Sequence, residues 1–197
     1  QDGSITAILP ENARMAADRE IDCGGMYLSP GFIDVHVHGA GGYDFMDSEE
    51  SIYGASRCHM LHGTTSIVPT TITGSREQLL DFVDMFNRVE LERPGCPHIL
   101  GLHLEGPYFA PAQAGAQDPA YLRCPQPEEY EEVLRRTDRI RRWSFAVELE
   151  GADRFLEVLH RRGIITSLAH SDADFAQVRH AHDLGLSCLT HFYSCMT

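Results

Sequence analysis

The chain has 197 residues, enough for one domain with a substantial core, and its 43% hydrophobic and 23% charged content is that of an ordinary globular fold. A net charge of −13 lacks the basic footprint that nucleic acid demands, and no apolar run reaches the ~18 residues of a membrane helix. Six scattered cysteines with no C-x-x-C pair, and no basic-then-apolar leader, predict a reducing, cytoplasmic compartment rather than a disulfide framework.

Residues 1–28 differ from the rest. The runs "SITAILP" and "REIDCGGMYLSP" read as short strands with tight turns and are expected to form part of a small β-sandwich domain. From 29 to 197 apolar β-rich runs alternate with amphipathic helical ones. Strands are predicted over 28–38, 64–72, 98–106, 141–151, 164–170 and 186–193. Pro69 tells against a long regular second strand. Helices are predicted over 48–63, closed by Gly63, over 75–91, opened by a Ser75 cap, and over 127–139, 152–163 and 174–185.

Strands separated by single helices imply parallel pairing through right-handed crossovers. The expected fold is α/β, a (β/α)8 TIM-type barrel with about six strands present, the sixth lacking its helix. A full barrel takes ~250 residues, so two further units are expected beyond Thr197. The alternative is an open doubly wound sheet, for which no G-x-G-x-x-G motif gives dinucleotide-binding support.

Eleven histidines are the unusual feature, and position has to separate ligands from the rest. Side chains alternate along a strand. In "IDVHVH", Ile33, Val35 and Val37 share one face, and Asp34, His36 and His38 the other. With the apolar face on the helices, both histidines point into the barrel at the strand's C-terminal end, where barrel active sites lie. Glu105 ends the third strand, His170 the fifth and His191 the sixth. Four imidazoles and a carboxylate on one rim suit zinc or a similar divalent metal, and a carboxylate between two positions could bridge two ions. His59, His62, His160, His180 and His182 lie on or beside helices and read as surface residues. His98 opens a strand at the opposite end. His103 faces inward one layer deeper and reads as a core residue, Glu148 as a supporting group at the end of the fourth strand, and "GAGGYD" as a rim turn.

At these residues the sequence resembles the N-acetylglucosamine-6-phosphate deacetylase family of the amidohydrolase superfamily. The carrying stretches are "YLSPGFIDVHVHGAGGYDFMD", "GTTSIVPTTIT", "ILGLHLEGPYF", "AGAQDP", "SLAHSDA" and "THFYSCM". The resemblance implies hydrolysis of the N-acetyl group of a phosphorylated amino sugar to acetate and glucosamine 6-phosphate. It implies that Glu105, His170 and His191 hold the main metal, with His36 and His38 matching the branch that can hold a second ion. It places substrate contacts at Ala116 and Gln117 and at Ser194 and Cys195, where the family usually has Asn-Ala. It implies a homodimer when full length, and an acid/base Asp on an eighth strand beyond Thr197. The 197 residues alone are therefore expected to be inactive. Other readings are a dihydroorotase-like or N-acyl amino acid hydrolase, or a non-catalytic metal- or phosphosugar-binding derivative. The lack of a lysine in the fourth strand, where related hydrolases carry a carbamylated one, favours the deacetylase.

Overall fold

The computed structural model describes residues 4–10 and 12–197. The chain divides into two compact units, 1–30 and 31–197. In the first unit the expected strands do not form among the described residues; it holds only turns, such as Met26 N–H donating to Cys23 O across Gly24 and Gly25. Ile5, Ile8, Tyr27 and Leu28 are exposed. A strand needs a neighbour for its backbone donors and acceptors, and this segment pairs with none among the described residues.

The second unit follows the alternating plan. In chain order it comprises β1 (Phe32–Val37), β2 (Gly39–Ala40), β3 (Tyr43–Asp44), α1 (Glu49–Met60), β4 (Thr64–Pro69), α2 (Arg76–Phe86), β5 (His98–Ile99), β6 (Leu102–Glu105), α3 (Pro127–Arg136), β7 (Ile140–Phe145), α4 (Ala152–Arg161), β8 (Ile165–Leu168), α5 (Phe175–Asp183) and β9 (Cys188–Leu189), with 3₁₀ turns at Pro111–Gln113 and Pro119–Tyr121. β2 and β3 form a small hairpin at the rim, turned by Gly41 and Gly42, both with positive φ, as the "GAGGYD" reading expected.

Every other strand pairing is parallel. One sheet runs β1-β4-β5 and another β6-β7-β8-β9, and a bridge between Thr70 and His103 joins them. The single strand expected over 98–106 is two. Gly101, at φ 142°, breaks it, so that β5 pairs with β4 and β6 with β7. A side chain there would collide with Arg139 O, which an ideal Cβ would approach to 2.5 Å. Among the described residues the array does not close, since β1 and β9 each have one hydrogen-bonded neighbour. The apolar face of β1 accordingly stays partly open, with Ile33 and Val35 exposed rather than packed on helices as expected, while Val37 packs against the core.

The helices start where their caps dictate. Ser48 accepts from Ser51 N ahead of α1, and Ser75–Gln78 and Asp174–Gln177 form reciprocal capping boxes ahead of α2 and α5. Their apolar faces bury against the outer side of the strands. Phe155 of α4 sits among Tyr108, Tyr130, Trp143 and Phe145, with ring centroids 4.9–5.1 Å away. That cluster anchors β6 and β7 from behind and so fixes the strand end that carries Glu105.

Candidate metal centre

β1 presents Asp34, His36 and, just past its end, His38 on alternate positions. Val37 N donates to Thr70 Oγ1 and Thr70 N to Val37 O, which pins this strand end to the end of β4. β6 delivers Glu105, whose backbone N–H is held by Thr71 Oγ1 at 3.0 Å. His170 and His191 lie two residues past the ends of β8 and β9, not within the strands as expected. Both have left-handed backbone, at φ 46° and 34°. Such conformations cost non-glycine residues about 1–2 kcal/mol. Here they turn each imidazole back over the strand ends.

The result is one carboxylate reached by four imidazoles. Glu105 is 2% exposed. Its Oε1 lies 3.5 Å from His36 Nε2, 3.6 Å from His170 Nε2 and 3.1 Å from His191 Nε2, and its Oε2 lies 3.2 Å from His38 Nε2. Two groups can hold a cation, His36–His38–Glu105 and Glu105–His170–His191, with ligand atoms within 4.8 Å of one another in each.

The proton positions fit that role. His170 Nδ1 lies 2.8 Å from Gln113 O and His191 Nδ1 lies 3.1 Å from Ser194 O. A carbonyl only accepts, so each Nδ1 carries a proton and each Nε2 turns a lone pair toward Glu105. Lone pairs facing a buried carboxylate need a cation or added protons between them. Among the described residues His38 Nδ1 is buried with no hydrogen-bond partner, a further polar atom left unsatisfied here.

The charges respond accordingly. Burial would raise the Glu105 pKa, but with no cation between them the added protons that His170, His191 and His38 can take on Nε2 donate to the carboxylate and hold it well below its usual range. The Glu105 hydrogen bond raises His191. It also lifts His38 against the opposing pull of burial. Burial pushes His36 down to about 4.

The remaining expected residues fall around this centre. Gln117 is buried and committed, its Nε2 donating to Glu105 Oε2 at 2.9 Å and its Oε1 accepting from Thr73 N at 2.8 Å. Ala116 is exposed beside it. Ser194 is exposed, and its carbonyl orients His191. Cys195 O accepts from Ser171 N, one residue after His170. Glu148 lies three residues past β7, not at its end, and accepts from Ser171 Oγ and Asp172 N, tying down the turn after His170. His103 is fully buried beneath the centre. Asp172 accepts from Thr197 Oγ1 and Gln113 Nε2, outside the ligand group.

Sequence reasoning missed Gln113, Arg142 and Ser144, and it named Gln117 only as a substrate contact. Gln113 acts through its backbone carbonyl, which no side-chain pattern reveals. Gln117 supports Glu105 across twelve residues of loop. Arg142 and Ser144 face the inner side of the sheet from β7, toward Thr190, and their signal was present as the alternation Arg-Trp-Ser-Phe over 142–145.

Comparison with known proteins places the chain among named relatives. A family model described as the amidohydrolase family matches residues 27–197. The N-acetylglucosamine-6-phosphate deacetylase of Bos taurus is 34% identical over 196 residues, covering 93% of this chain and 46% of its own length. That of Lysinibacillus sphaericus is 32% identical over 205 residues, covering 100% and 51%. Among solved structures, the Mycobacterium smegmatis deacetylase in complex with N-acetyl-D-glucosamine-6-phosphate aligns with TM-score 0.80 at 32% identity over 85% of this chain and 44% of that one. The Pasteurella multocida enzyme aligns with TM-score 0.83 at 30% identity over 95% and 48%. The chain thus spans about half the length of the relatives it matches. By the match over 27–197, the chain belongs to the amidohydrolase family.

Proposed function

We propose that this chain carries the metal-binding part of an N-acetylglucosamine-6-phosphate deacetylase, which hydrolyses the N-acetyl group to give acetate and glucosamine 6-phosphate. The observation that carries this reading is Glu105 set between two histidine pairs on one rim. Its relatives and solved neighbours bear that name. The chain contains no lysine, so a carbamylated lysine cannot take the bridging place and Glu105 holds it.

Glu105, His170 and His191 would hold the principal ion, and His36 and His38 with Glu105 a second. The hard and borderline donors suit zinc. When bound, such a cation polarises the amide carbonyl and acidifies water. Glu105 supplies the negative charge that draws the cation in. Gln117 holds Glu105 in place, and the carbonyls of Gln113 and Ser194 keep the His170 and His191 lone pairs inward. Ala116, Gln117, Ser194 and Cys195 border the space where the sugar would lie.

The reaction also needs a carboxylate to pass a proton to the leaving amine. Among the described residues Glu105 is the one carboxylate in the two ligand groups, and it is itself a ligand. We place that group outside these 197 residues, in the length the relatives have in addition, and expect the 197 residues alone to be inactive. We further propose a small β-domain that includes residues 1–28, a homodimer, and a reducing cytoplasmic setting consistent with the free cysteines.

The test uses the full-length protein. Acetate release from N-acetylglucosamine 6-phosphate should vanish on chelation, return with zinc, and be lost in E105Q together with bound metal. Turnover that resists chelators, or an E105Q variant that keeps its metal, refutes the reading.

A further inference from the structure

Beneath the two cation positions the barrel interior is polar. Arg142 is 8% exposed and has no carboxylate partner within salt-bridge distance among the described residues. Its Nη2 donates to Ser167 Oγ at 2.8 Å, to Thr190 Oγ1 at 2.5 Å and to Leu189 O at 3.3 Å. Ser167 Oγ and Thr190 Oγ1 lie 2.8 Å apart, and Thr190 Oγ1 and Ser144 Oγ 2.7 Å. Ser144 Oγ is 2.7 Å from His103 Nε2, and His103 Nδ1 is 3.3 Å from His36 Nδ1 and 3.3 Å from Thr70 Oγ1. An unbroken hydrogen-bonded chain therefore joins a buried guanidinium to one of the four histidines.

The chain has a direction. A guanidinium only donates, a hydroxyl has one proton, and a neutral imidazole has one donor and one acceptor. With Arg142 donating, Ser167 can donate to Thr190, Thr190 to Ser144, and Ser144 to His103 Nε2. His103 then carries its proton on Nδ1 and donates to His36 Nδ1. Thr70 Oγ1 already donates to Val68 O and accepts from Val37 N, which leaves it able to accept from His103 as well. Every hydroxyl and imidazole nitrogen from Ser167 to His103 is then satisfied, with Arg142 Nε left as the one buried donor of the relay without a partner among the described residues, and His36 is left with its proton on Nε2, pointing at Glu105.

In the opposite direction His36 donates from Nδ1, His103 donates to Ser144, and the relay ends on Ser167. That hydroxyl already accepts from Arg142, and its own proton has no acceptor in the chain. Yet only this direction frees the Nε2 lone pair of His36 for an ion. His170 and His191 face no such choice, because carbonyls fix their tautomers.

We propose that Arg142, Ser167, Thr190, Ser144 and His103 form a positioning relay that holds the proton of His36 on Nε2, and so ranks the two cation positions, with the His36–His38 side filling last. This rests on the metal-centre reading above. Filling the second position requires the relay to reverse.

The test is ¹⁵N-histidine NMR of the full-length protein, first stripped of metal and then titrated with zinc, with the His36 signals assigned by their loss in H36Q. In the metal-free protein His36 should be the Nε2–H tautomer, with His170 and His191 the Nδ1–H tautomer. The first equivalent of zinc should leave the His36 tautomer in place and the second should convert it. In R142M and S144A the second equivalent should bind about tenfold tighter, the worth of one hydrogen bond, with the first unchanged. The smaller S144A change answers if R142M does not fold. A metal-free His36 in the Nδ1–H form, or unchanged second-site affinity in the folded variants, overturns the relay. Absence of all zinc binding overturns the metal reading, and the His36 tautomer then still decides the relay.

Discussion

Gly115 gives the sharpest test of how His170 is held. It has φ 57°, and an ideal Cβ built on it would lie 2.5 Å from Cys195 Sγ and 3.3 Å from His170 Cε1. G115A therefore carries two separable costs. The left-handed backbone penalises alanine by about 1–2 kcal/mol. The overlap with sulfur adds overpacking of about 1–3 kcal/mol. Replacing Cys195 by alanine removes the sulfur and hence the second cost only. The double variant G115A/C195A should therefore be more stable than the sum of the single changes by about 1–3 kcal/mol. The cycle is measured by urea unfolding of the full-length protein, followed by far-ultraviolet circular dichroism. Additivity within about 0.5 kcal/mol would show that the contact does not exist and that Gly115 is needed for its backbone alone.

Three further outcomes follow from the same geometry. An unfolded His36 titrates at 6.5 and the folded one at about 4, so between these values the unfolded chain binds a proton that the folded chain does not. Stability of the metal-free protein should fall as pH drops from 6.5 to 4, His36 contributing about 3 kcal/mol of the loss, and H36Q should lack that contribution when the two are unfolded in denaturant at each pH. Q117A removes a bond to a buried carboxylate and strands Thr73 N, and should cost about 1.5–3 kcal/mol in the same assay. F155A empties the middle of the aromatic cluster and should cost about 3–5 kcal/mol; a loss below 1 kcal/mol would mean that the cluster does not anchor β6 and β7.

Much of the centre was legible before any coordinates. Strand alternation put His36 and His38 on one face, and the ends of later strands supplied Glu105, His170 and His191. The Ser75 cap was readable because a capping box is complete within four residues. The break at Gly101 was not, because the reason for it is Arg139 O, brought close only when β6 pairs with β7. The expected strands in 4–30 had the right composition, yet composition supplies no partner strand.

The sequence by itself determined the alternation of strands and helices, the helix starts, and which ligand types stand at strand ends. Each depends on hydrogen bonds and side-chain spacing over a few neighbouring residues. Only the tertiary structure decided that four imidazoles meet one carboxylate, that Gln113 and Ser194 set two tautomers, and that Arg142 lies at the foot of a relay to His36. Those facts depend on parallel register and on left-handed turns at His170 and His191, which join residues 41 to 86 positions apart in the chain.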